Sequence, residues 1–260
     1  MKTRLQKPVE KSMRVLSRAV SSVGLAFLLM IAQVIYAANV HKVSATPVTI
    51  YKATSSSESA IEAESTLLYD EMSLGQMGLA KKAFQYAYRG YKHLVEEGIV
   101  SRQNIISVID FSQSSKNKRL YILDVENKEI LMNTFVAHGR NSGKEFATNF
   151  SNSLSSLKSS LGFYITKDTY FGEHGLSLRI DGLERGINDN AERRAVVIHG
   201  ADYLGDRYLS DNPFSGRSWG CPAVPSQLSG QIIDMIKDGT VMFIYHPTKS
   251  YLSKSRILNG

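Results

Sequence analysis

The sequence predicts a mainly β domain with flanking helices, an α+β fold class. Apolar residues recur at helical spacing between residues 58 and 98, and short β-rich runs separated by polar turns follow residue 104. One amphipathic helix precedes the last of these runs. The chain has 260 residues, 43% of them hydrophobic, which is enough to bury one sizeable core beside a small helical addition.

The N-terminal residues 1–38 are typical of an export signal. Six basic residues and one acidic residue lie within the first eighteen positions, and an apolar stretch follows over residues 23–35. This is the layout of a secretory signal peptide. The alternative is an uncleaved membrane anchor, because the apolar run 19–38 approaches the roughly 20 residues that span a bilayer. We favour cleavage, followed by a flexible linker rich in Ser and Thr over residues 39–57.

The net charge argues against a nucleic-acid partner. Segment 1–38 accounts for +5 of the formal charge of +7, so the remaining chain carries only +2. Phosphate binding needs a dense basic face, which that remainder does not supply.

Residues 58–100 form the expected helical segment. Its second helix has an apolar stripe running from Ala80 to Val95, and Gly98 is placed to cap its end in a left-handed conformation. The Tyr and Phe residues of this stripe are interpreted as core packing. We therefore expect two helices packed on the domain that follows.

The following domain, residues 101–248, is predicted to be mainly antiparallel β structure. Long polar, glycine-bearing stretches separate several of its strands, and loops of that length in a compact domain are usually functional. Residues 249–260 are expected to form a C-terminal tail. The predicted strands cover residues 105–111, 119–125, 130–137, 162–166, 176–180, 195–199 and 241–245, the predicted helix covers 226–237, and the long loops cover 140–160, 181–194 and 201–217.

A single cysteine, Cys221, is unusual in an exported chain because it cannot close a disulfide within that chain. By residue type alone, a buried small side chain or an intermolecular disulfide would explain it. Its surroundings favour chemistry instead. An apolar run over residues 195–198 ends in His199 and Gly200, and Gly220 and Pro222 flank the cysteine.

These residues fit a nucleophile and its base. A free thiol is mostly protonated near neutral pH and needs a nearby base or positive field to become a thiolate. An imidazole titrates in that range, so His199 can take the proton from Cys221 and return one to a leaving amine. Gly220 allows close backbone approach, and Pro222 restricts where the thiol points.

Over residues 69–245 the chain resembles the L,D-transpeptidases of peptidoglycan, in particular the murein L,D-transpeptidase catalytic domain proteins. The resemblance implies an L,D-transpeptidase-type β-sandwich or barrel. The matching motifs are Asp110-Phe111-Ser112-Gln113, Arg119-Leu120-Tyr121, Ala137-His138-Gly139-Arg140-Asn141-Ser142-Gly143, Phe150-Ser151-Asn152, Ser160-Leu161-Gly162-Phe163-Tyr164, Asn188-Asp189-Asn190-Ala191, Ile198-His199-Gly200 and Ser218-Trp219-Gly220-Cys221.

The resemblance also implies roles at the site. Cys221 would be the nucleophile, His199 the general base, the carbonyl of Gly200 its orienting group, and the amides near Gly220 and Cys221 the oxyanion hole. One departure is plain, because Trp219 stands where most members carry a second histidine. The arginine that often follows the family cysteine is also missing.

The implied activity is that of a transferase, specifically an acyltransferase of cell wall biogenesis in the periplasm or cell envelope. Cys221 would attack the carbonyl between the third, L-centred diamino residue and the fourth, D-residue of a stem peptide, leaving a thioester. An amine from a second stem then gives a crosslink, whereas water would give L,D-carboxypeptidase activity. Peptidoglycan stem peptides are the expected partners, no cofactor is expected, a membrane is a partner only if residues 1–38 stay attached, and the oligomeric state is left open.

Further residues are assigned to the site more loosely. His138 also ends an apolar run and rivals His199 by local pattern, but the family motif favours His199, leaving His138 a substrate-contact or loop-fixing role. His174 has a similar setting. Ser218 is expected to donate a hydrogen bond near the thiol. The remaining expected substrate contacts are Gly162 and Tyr164 from their motif, Trp219 as a groove wall, and Arg217 as a carboxylate ligand in place of the missing arginine.

Two other classes of function remain as alternatives. A zinc hydrolase of the wall would use Cys221 with His138, His174 or His199, although the sequence lacks a paired-histidine zinc motif and a second cysteine. A non-catalytic wall-binding module would retain the fold without turnover. The presence of both Cys221 and His199 favours catalysis over either alternative.

Overall fold

The N-terminal part of the described chain is helical. The computed structural model describes the backbone of residues 50–260 and the side chains of residues 57–260. Helix α1 (Ile50–Glu71) begins inside the stretch predicted to be a linker, and helix α2 (Lys81–Glu96) follows. Serine and threonine at the start of α1 predict a loop, but extending an existing helix is much easier than nucleating one. The predicted export signal, residues 1–38, lies outside the described residues.

Helix α2 ends at the predicted glycine. Gly98 has a φ of 70°. Its N–H donates to the carbonyl of Val95 and the next N–H, from Ile99, donates to the carbonyl of Leu94, each at 3.0 Å. These two bonds form a Schellman cap, which satisfies carbonyls at the end of the helix. Within residues 50–260, no helix combines the length and apolar character needed to cross a bilayer.

Eight strands form one mixed sheet that is nearly closed into a barrel. Its order is β3-β2-β1-β8-β4-β5-β6-β7, and only the β1–β8 and β6–β7 pairs are parallel. The predicted mainly β class with flanking helices is therefore confirmed. The strands are β1 (Ile105–Asp110), β2 (Leu120–Asp124), β3 (Glu129–Thr134), β4 (Gly162–Gly172), β5 (Gly175–Gly182), β6 (Val197–Ala201), β7 (Ala223–Pro225) and β8 (Val241–Tyr245).

Helices within and after the sheet account for the main differences from the sequence prediction. Helix α3 (Asp206–Asp211) lies in a stretch predicted to be loop, and α4 (Ser226–Ile236) matches the predicted helix within one residue. The expected tail contains α5 (Lys249–Lys254) and α6 (Arg256–Asn259). These two helices are held by the buried Glu184, which accepts hydrogen bonds from the hydroxyls of Tyr251 and Ser255. Such a long-range contact leaves no local pattern.

The core places the candidate site at the β6–β7 edge of the sheet. Strands β1, β2 and β8 are buried along their whole length. The short β7 was not predicted, since three residues ending in proline carry no strand periodicity. A small second apolar cluster lies beneath β6 and β7 and supports both strands. Its buried members are Phe135, Ala137, Ala201, Leu204 and Ala223.

Candidate active site

Parallel pairing of β6 and β7 brings His199 and Cys221 together. His199 lies opposite Ala223 in this pair, and Cys221 is two residues before Ala223. The backbone N–H of Val197, two residues before His199, lies 3.5 Å from the Cys221 sulfur. Cys221 therefore lies just before β7, beside the start of the strand that carries His199.

A backbone carbonyl orients His199. Its Nδ1 lies 2.9 Å from the oxygen of Gly200, the contact that the family resemblance implies. A carbonyl can only accept, so Nδ1 carries the hydrogen and the neutral ring presents an unprotonated Nε2. Burial lowers the pKa of His199 below its usual value, while the Gly200 carbonyl opposes this shift and His174 adds to it.

The thiol of Cys221 is partly buried and is engaged by backbone groups. It donates toward the carbonyl oxygen of Ala195 at 3.6 Å, and within residues 57–260 it forms no hydrogen bond with His199. Burial raises the pKa of the Cys221 thiol, whereas the N–H of Val197 and the charge of Arg194 lower it. Near neutral pH the resting pair is therefore a thiol and a neutral imidazole. Ala195 itself has a φ of 51°, an uncommon conformation for a residue with a side chain.

Ser218 fixes the turn that carries the nucleophile. Its hydroxyl donates to the Cys221 carbonyl at 2.6 Å and accepts from the N–H of Gly220 at 3.0 Å. The hydrogen bond that Ser218 was expected to donate near the thiol is thus made to the backbone carbonyl of Cys221. The N–H of Gly220 is also occupied, which leaves the N–H of Cys221 as the candidate oxyanion donor.

Gly220 is required by its backbone geometry. Its φ is 132°, and a Cβ there would lie 3.0 Å from the carbonyl oxygen of Lys158 and 3.2 Å from a guanidinium nitrogen of Arg194. A side chain would therefore be strained and crowded at this position. The backbone of Gly220 does pass close to other groups, as predicted, but these groups belong to Lys158 and Arg194.

Arg194 supplies a positive charge near the thiol, a role that was not predicted for it from the sequence. Its guanidinium donates to the carbonyls of Ser151 and Lys158 and, at 3.1 Å, to the hydroxyl of Ser160. These bonds hold the loop before β4 against the nucleophile turn. Only its position just before β6 hints at this role in the sequence.

His174 stacks on the base. It lies in the tight turn between β4 and β5, and its ring centroid is 4.2 Å from that of His199 with an interplanar angle of 20°. His174 is exposed, so it borders the site, as its predicted substrate-contact role requires. The β4–β5 hairpin thus brings a second imidazole to the first.

His138 is buried and cannot contact a substrate in this structure. Arg119, itself buried, donates to His138 Nδ1 at 2.8 Å, and the two groups share the protein interior. Burial and the charge of Arg119 lower the pKa of His138 to about 3, so its ring is neutral. The backbone carbonyl of His138 accepts the N–H of Ser218 at 3.0 Å. Its contribution is therefore to the fixing of the nucleophile loop.

Gly162 and Tyr164 are also interior residues, which corrects their expected substrate contacts. A Cβ on Gly162 would lie 2.1 Å from a carboxylate oxygen of Glu184, and φ there is 107°. Tyr164 is fully buried, and its hydroxyl bonds to the hydroxyl of Ser160 at 2.7 Å. Ser160 also accepts a hydrogen bond from Arg194, so Tyr164 contributes to the site indirectly, through Ser160.

An open pocket of about 400 Å³ lies beside the nucleophile turn. Trp219, whose residue surface is 74% exposed, forms one wall, in keeping with its predicted position in a groove. Burial raises the pKa of Tyr203 to about 12, and the charge of a nearby Cys221 thiolate adds to this shift. The ring and guanidinium groups that line the pocket belong to Arg140, Tyr203, Tyr208, Phe214, Arg217 and Trp219. Tyr203, Tyr208 and Phe214 follow no sequence motif and were not predicted.

The residues required by the zinc alternative are not gathered into one site. Within residues 57–260, no three His, Cys, Asp or Glu side chains are grouped so that they could hold a metal ion.

A family model described as L,D-transpeptidase catalytic domain matches residues 76–245. Curated proteins yield no match.

Among solved structures, the chain is similar to an L,D-transpeptidase from Mycobacterium smegmatis, with 12% identity and a TM-score of 0.34 over 55% of this chain and 59% of that one. L,D-transpeptidase 1 from Mycobacterium tuberculosis is 11% identical, with a TM-score of 0.30 over 55% of this chain and 62% of that one. A variant of the helical cell shape determining protein Pgp2 from Campylobacter jejuni is 14% identical, with a TM-score of 0.37 over 62% of this chain and 57% of that one. The chain thus spans less than two thirds of the length of each of these proteins. The family match, however, spans more than half of the 260 residues, and this chain belongs to the L,D-transpeptidase catalytic domain family.

Proposed function

We propose that the protein is an exported cysteine acyltransferase that crosslinks peptidoglycan stem peptides by L,D-transpeptidation. The observation that carries the proposal is that Cys221, just before β7, lies beside β6, which carries a carbonyl-oriented His199. Arg194 adds a positive charge that favours the thiolate. Peptidoglycan is the substrate because this is the polymer on which the family acts.

The first half-reaction requires the thiol to turn from Ala195 toward the base. Catalytic hydrogen bonds are often long or misaligned before substrate binds, so the resting geometry is compatible with this step. Nε2 of His199 takes the thiol proton as sulfur bonds to the carbonyl carbon of the donor stem. The N–H of Cys221 stabilises the oxyanion. The C–N bond then breaks, and His199 returns its proton to the departing amine of the D-residue.

The second half-reaction regenerates the thiol. An amine of the acceptor stem attacks the thioester, His199 receives the amine proton, and the C–S bond breaks as the new amide forms. The proton then returns to sulfur. If water enters instead, the same residues produce L,D-carboxypeptidase activity, and the product distribution separates the two outcomes.

Turnover of purified muropeptides tests the proposal. Disaccharide tetrapeptides incubated with the protein are expected to yield free D-amino acid and crosslinked dimers, measured by chromatography and mass spectrometry. Cys221→Ala should abolish both products. His199→Gln should slow turnover by about 10²–10⁴-fold, since it removes the general base. His93→Gln is the matched control, because His93 lies on α2, where its ring pairs with Glu97. Full activity of Cys221→Ala would refute the mechanism.

A carbapenem, which mimics the acyl donor in this family, provides a second test. We expect one covalent adduct on the folded protein, mapped to Cys221 by peptide mass spectrometry. The adduct should be absent from Cys221→Ala and present in His93→Gln. An adduct on another residue would contradict the assignment of the nucleophile.

Export is proposed from residues 1–38 and is tested separately. The full-length chain produced in a bacterium should appear in the envelope fraction, shortened at its N-terminus if the signal is cleaved. Deletion of residues 2–38 should retain it in the cytoplasm. Envelope protein of full mass would indicate the anchor alternative.

A further inference from the structure

Two guanidinium groups without carboxylate partners border the pocket beside the nucleophile turn. Arg217 donates from Nη1 to the carbonyls of Arg140 and Gly143, at 3.2 and 3.0 Å, and its side chain is otherwise exposed. Among residues 57–260, the Arg140 side chain makes no hydrogen bond or ion pair. One group is therefore fixed by the backbone and the other is free to close on a ligand.

Both arginines are tied to the nucleophile turn through Ser218. The N–H of Arg140 donates to the Ser218 carbonyl at 2.8 Å, and Arg217 directly precedes Ser218 in the chain. Trp219 and Gly220 complete the connection to Cys221. Two residues span at most about 7 Å, so the backbone of Trp219 lies close to that of Cys221. Tyr203, which also lines the pocket, lies near enough to interact with the charge of Cys221. The pocket therefore borders the turn that carries the nucleophile.

The lining selects an organic anion. Guanidinium groups match carboxylates in a planar, bidentate manner. Tyr203, Tyr208, Phe214 and Trp219 add flat surfaces that favour contact with carbon atoms. Cys221 attacks the carbonyl carbon of the third residue of the stem. Only the amide nitrogen and the α-carbon of the fourth residue separate this carbon from the terminal carboxylate. That carboxylate must lie beside the nucleophile when the amide does.

We propose that Arg140 and Arg217 form the subsite for the terminal carboxylate of the donor stem peptide, with Trp219 covering the departing residue. This inference rests on the proposed function and names the residues that select its donor. Arg140 closes on the carboxylate, and Arg217 presents a guanidinium held in place by two carbonyls. Burial of the donor terminus in this pocket sets the scissile carbonyl against Cys221.

The test pairs a change in the protein with a change in the peptide. Trp219 is the only tryptophan of the chain and lines the pocket, so its fluorescence reports binding. The probe is a stem tetrapeptide with either a free terminal carboxylate or a terminal amide. Titrations use the full chain carrying Cys221→Ala, which prevents turnover, alone or combined with Arg140→Gln. The matched control adds Arg207→Gln, which removes an exposed arginine of α3 that does not line the pocket.

Amidation is expected to weaken binding to the parent by about tenfold to a hundredfold, as for the loss of a charge-assisted contact. Arg140→Gln should weaken binding of the acid by a similar factor and leave binding of the amide unchanged. Arg207→Gln should behave as the parent. Equal binding of acid and amide, or the same amidation effect with and without Arg140, would overturn the inference.

Failure of the subsite and failure of the proposed function give different results. If the wild-type chain crosslinks muropeptides but the amide binds as tightly as the acid, only the subsite is refuted. If amidation and Arg140→Gln are coupled in binding but the wild-type chain forms no thioester, the subsite stands and the proposed reaction fails. Circular dichroism of each variant establishes that it is folded.

Discussion

Two helix glycines provide a matched test of how α2 docks on the sheet. Gly90 is buried in α2, and a Cβ there would lie 2.0, 2.5 and 2.7 Å from three ring carbons of Phe163. Phe163 cannot easily retreat, since its ring stacks on Phe243 with centroids 4.3 Å apart. Gly230 lies in α4, and a Cβ there would meet nothing within 4 Å. The same substitution should therefore have opposite effects.

The magnitudes follow from two competing effects. Replacing a glycine inside a helix by alanine stabilises the helix by up to about 1 kcal/mol, which is the expected result for Gly230→Ala. For Gly90→Ala this gain is set against overpacking, which costs about 1–3 kcal/mol and more where the overlap is severe. We expect a net loss of about 1–2 kcal/mol. At roughly 2–4 °C per kcal/mol for a domain of this size, the Tm falls by several degrees.

Urea unfolding and thermal melting of the two variants measure these effects. The cause is tested by adding Phe163→Leu, which makes room beside Gly90. The destabilisation by Gly90→Ala should be smaller in that background, so that the two changes are non-additive. If Gly90→Ala stabilises the protein as Gly230→Ala does, α2 does not pack on Phe163 at this separation.

Three further predictions concern the buried polar groups and the base. The pKa of His138 is about 3 in the fold against a usual 6.5, so the unfolded chain binds the extra proton between these values. The unfolding free energy should thus fall by about 2 kcal/mol from pH 7 to pH 5, and His138→Gln should reduce this slope in urea titrations. Arg119→Met leaves the carbonyls of Gln113 and Val136 without their donor and should lower the free energy of unfolding by about 3 kcal/mol. A decrease below about 1 kcal/mol would contradict the role of these hydrogen bonds. His199 must be neutral to act as the base, so kcat/KM should fall on acidification with a midpoint below pH 6.5. In His174→Phe, which keeps a stacked ring but removes the imidazole, this midpoint should move to higher pH. An unmoved midpoint would show that His174 does not tune the base.

Much of the fold could be predicted because burial leaves a periodic pattern in the chain. The apolar stripe of α2, its stop at Gly98 and the runs that became β1, β2 and β8 all reflect local contact with the core. The start of α1, the short β7 and the helices α5 and α6 could not be predicted in this way. Helices α5 and α6, for example, depend on contacts with a distant residue, Glu184, which accepts hydrogen bonds from Tyr251 and Ser255.

The candidate site divides along the same line. Cys221 and His199 could be selected as candidates because the residues next to them along the chain, an apolar run before the histidine and glycine and proline beside the thiol, favour chemistry. Tyr164 could not be placed correctly, because a motif does not tell whether its side chain points into a groove or into the core. Nor could Arg194, whose guanidinium reaches Lys158 and Ser160 across a loop.

The sequence by itself determined which groups can react and which of the strongly periodic segments are helical or extended. Only the tertiary structure decided that Ser218 holds the nucleophile turn, that His138 is buried against Arg119, and that Arg140 faces a pocket beside Trp219. The physical reason is that reactivity and periodicity are properties of neighbouring residues along the chain. The direction of a side chain is instead set by strand register and by the packing of residues far apart in sequence.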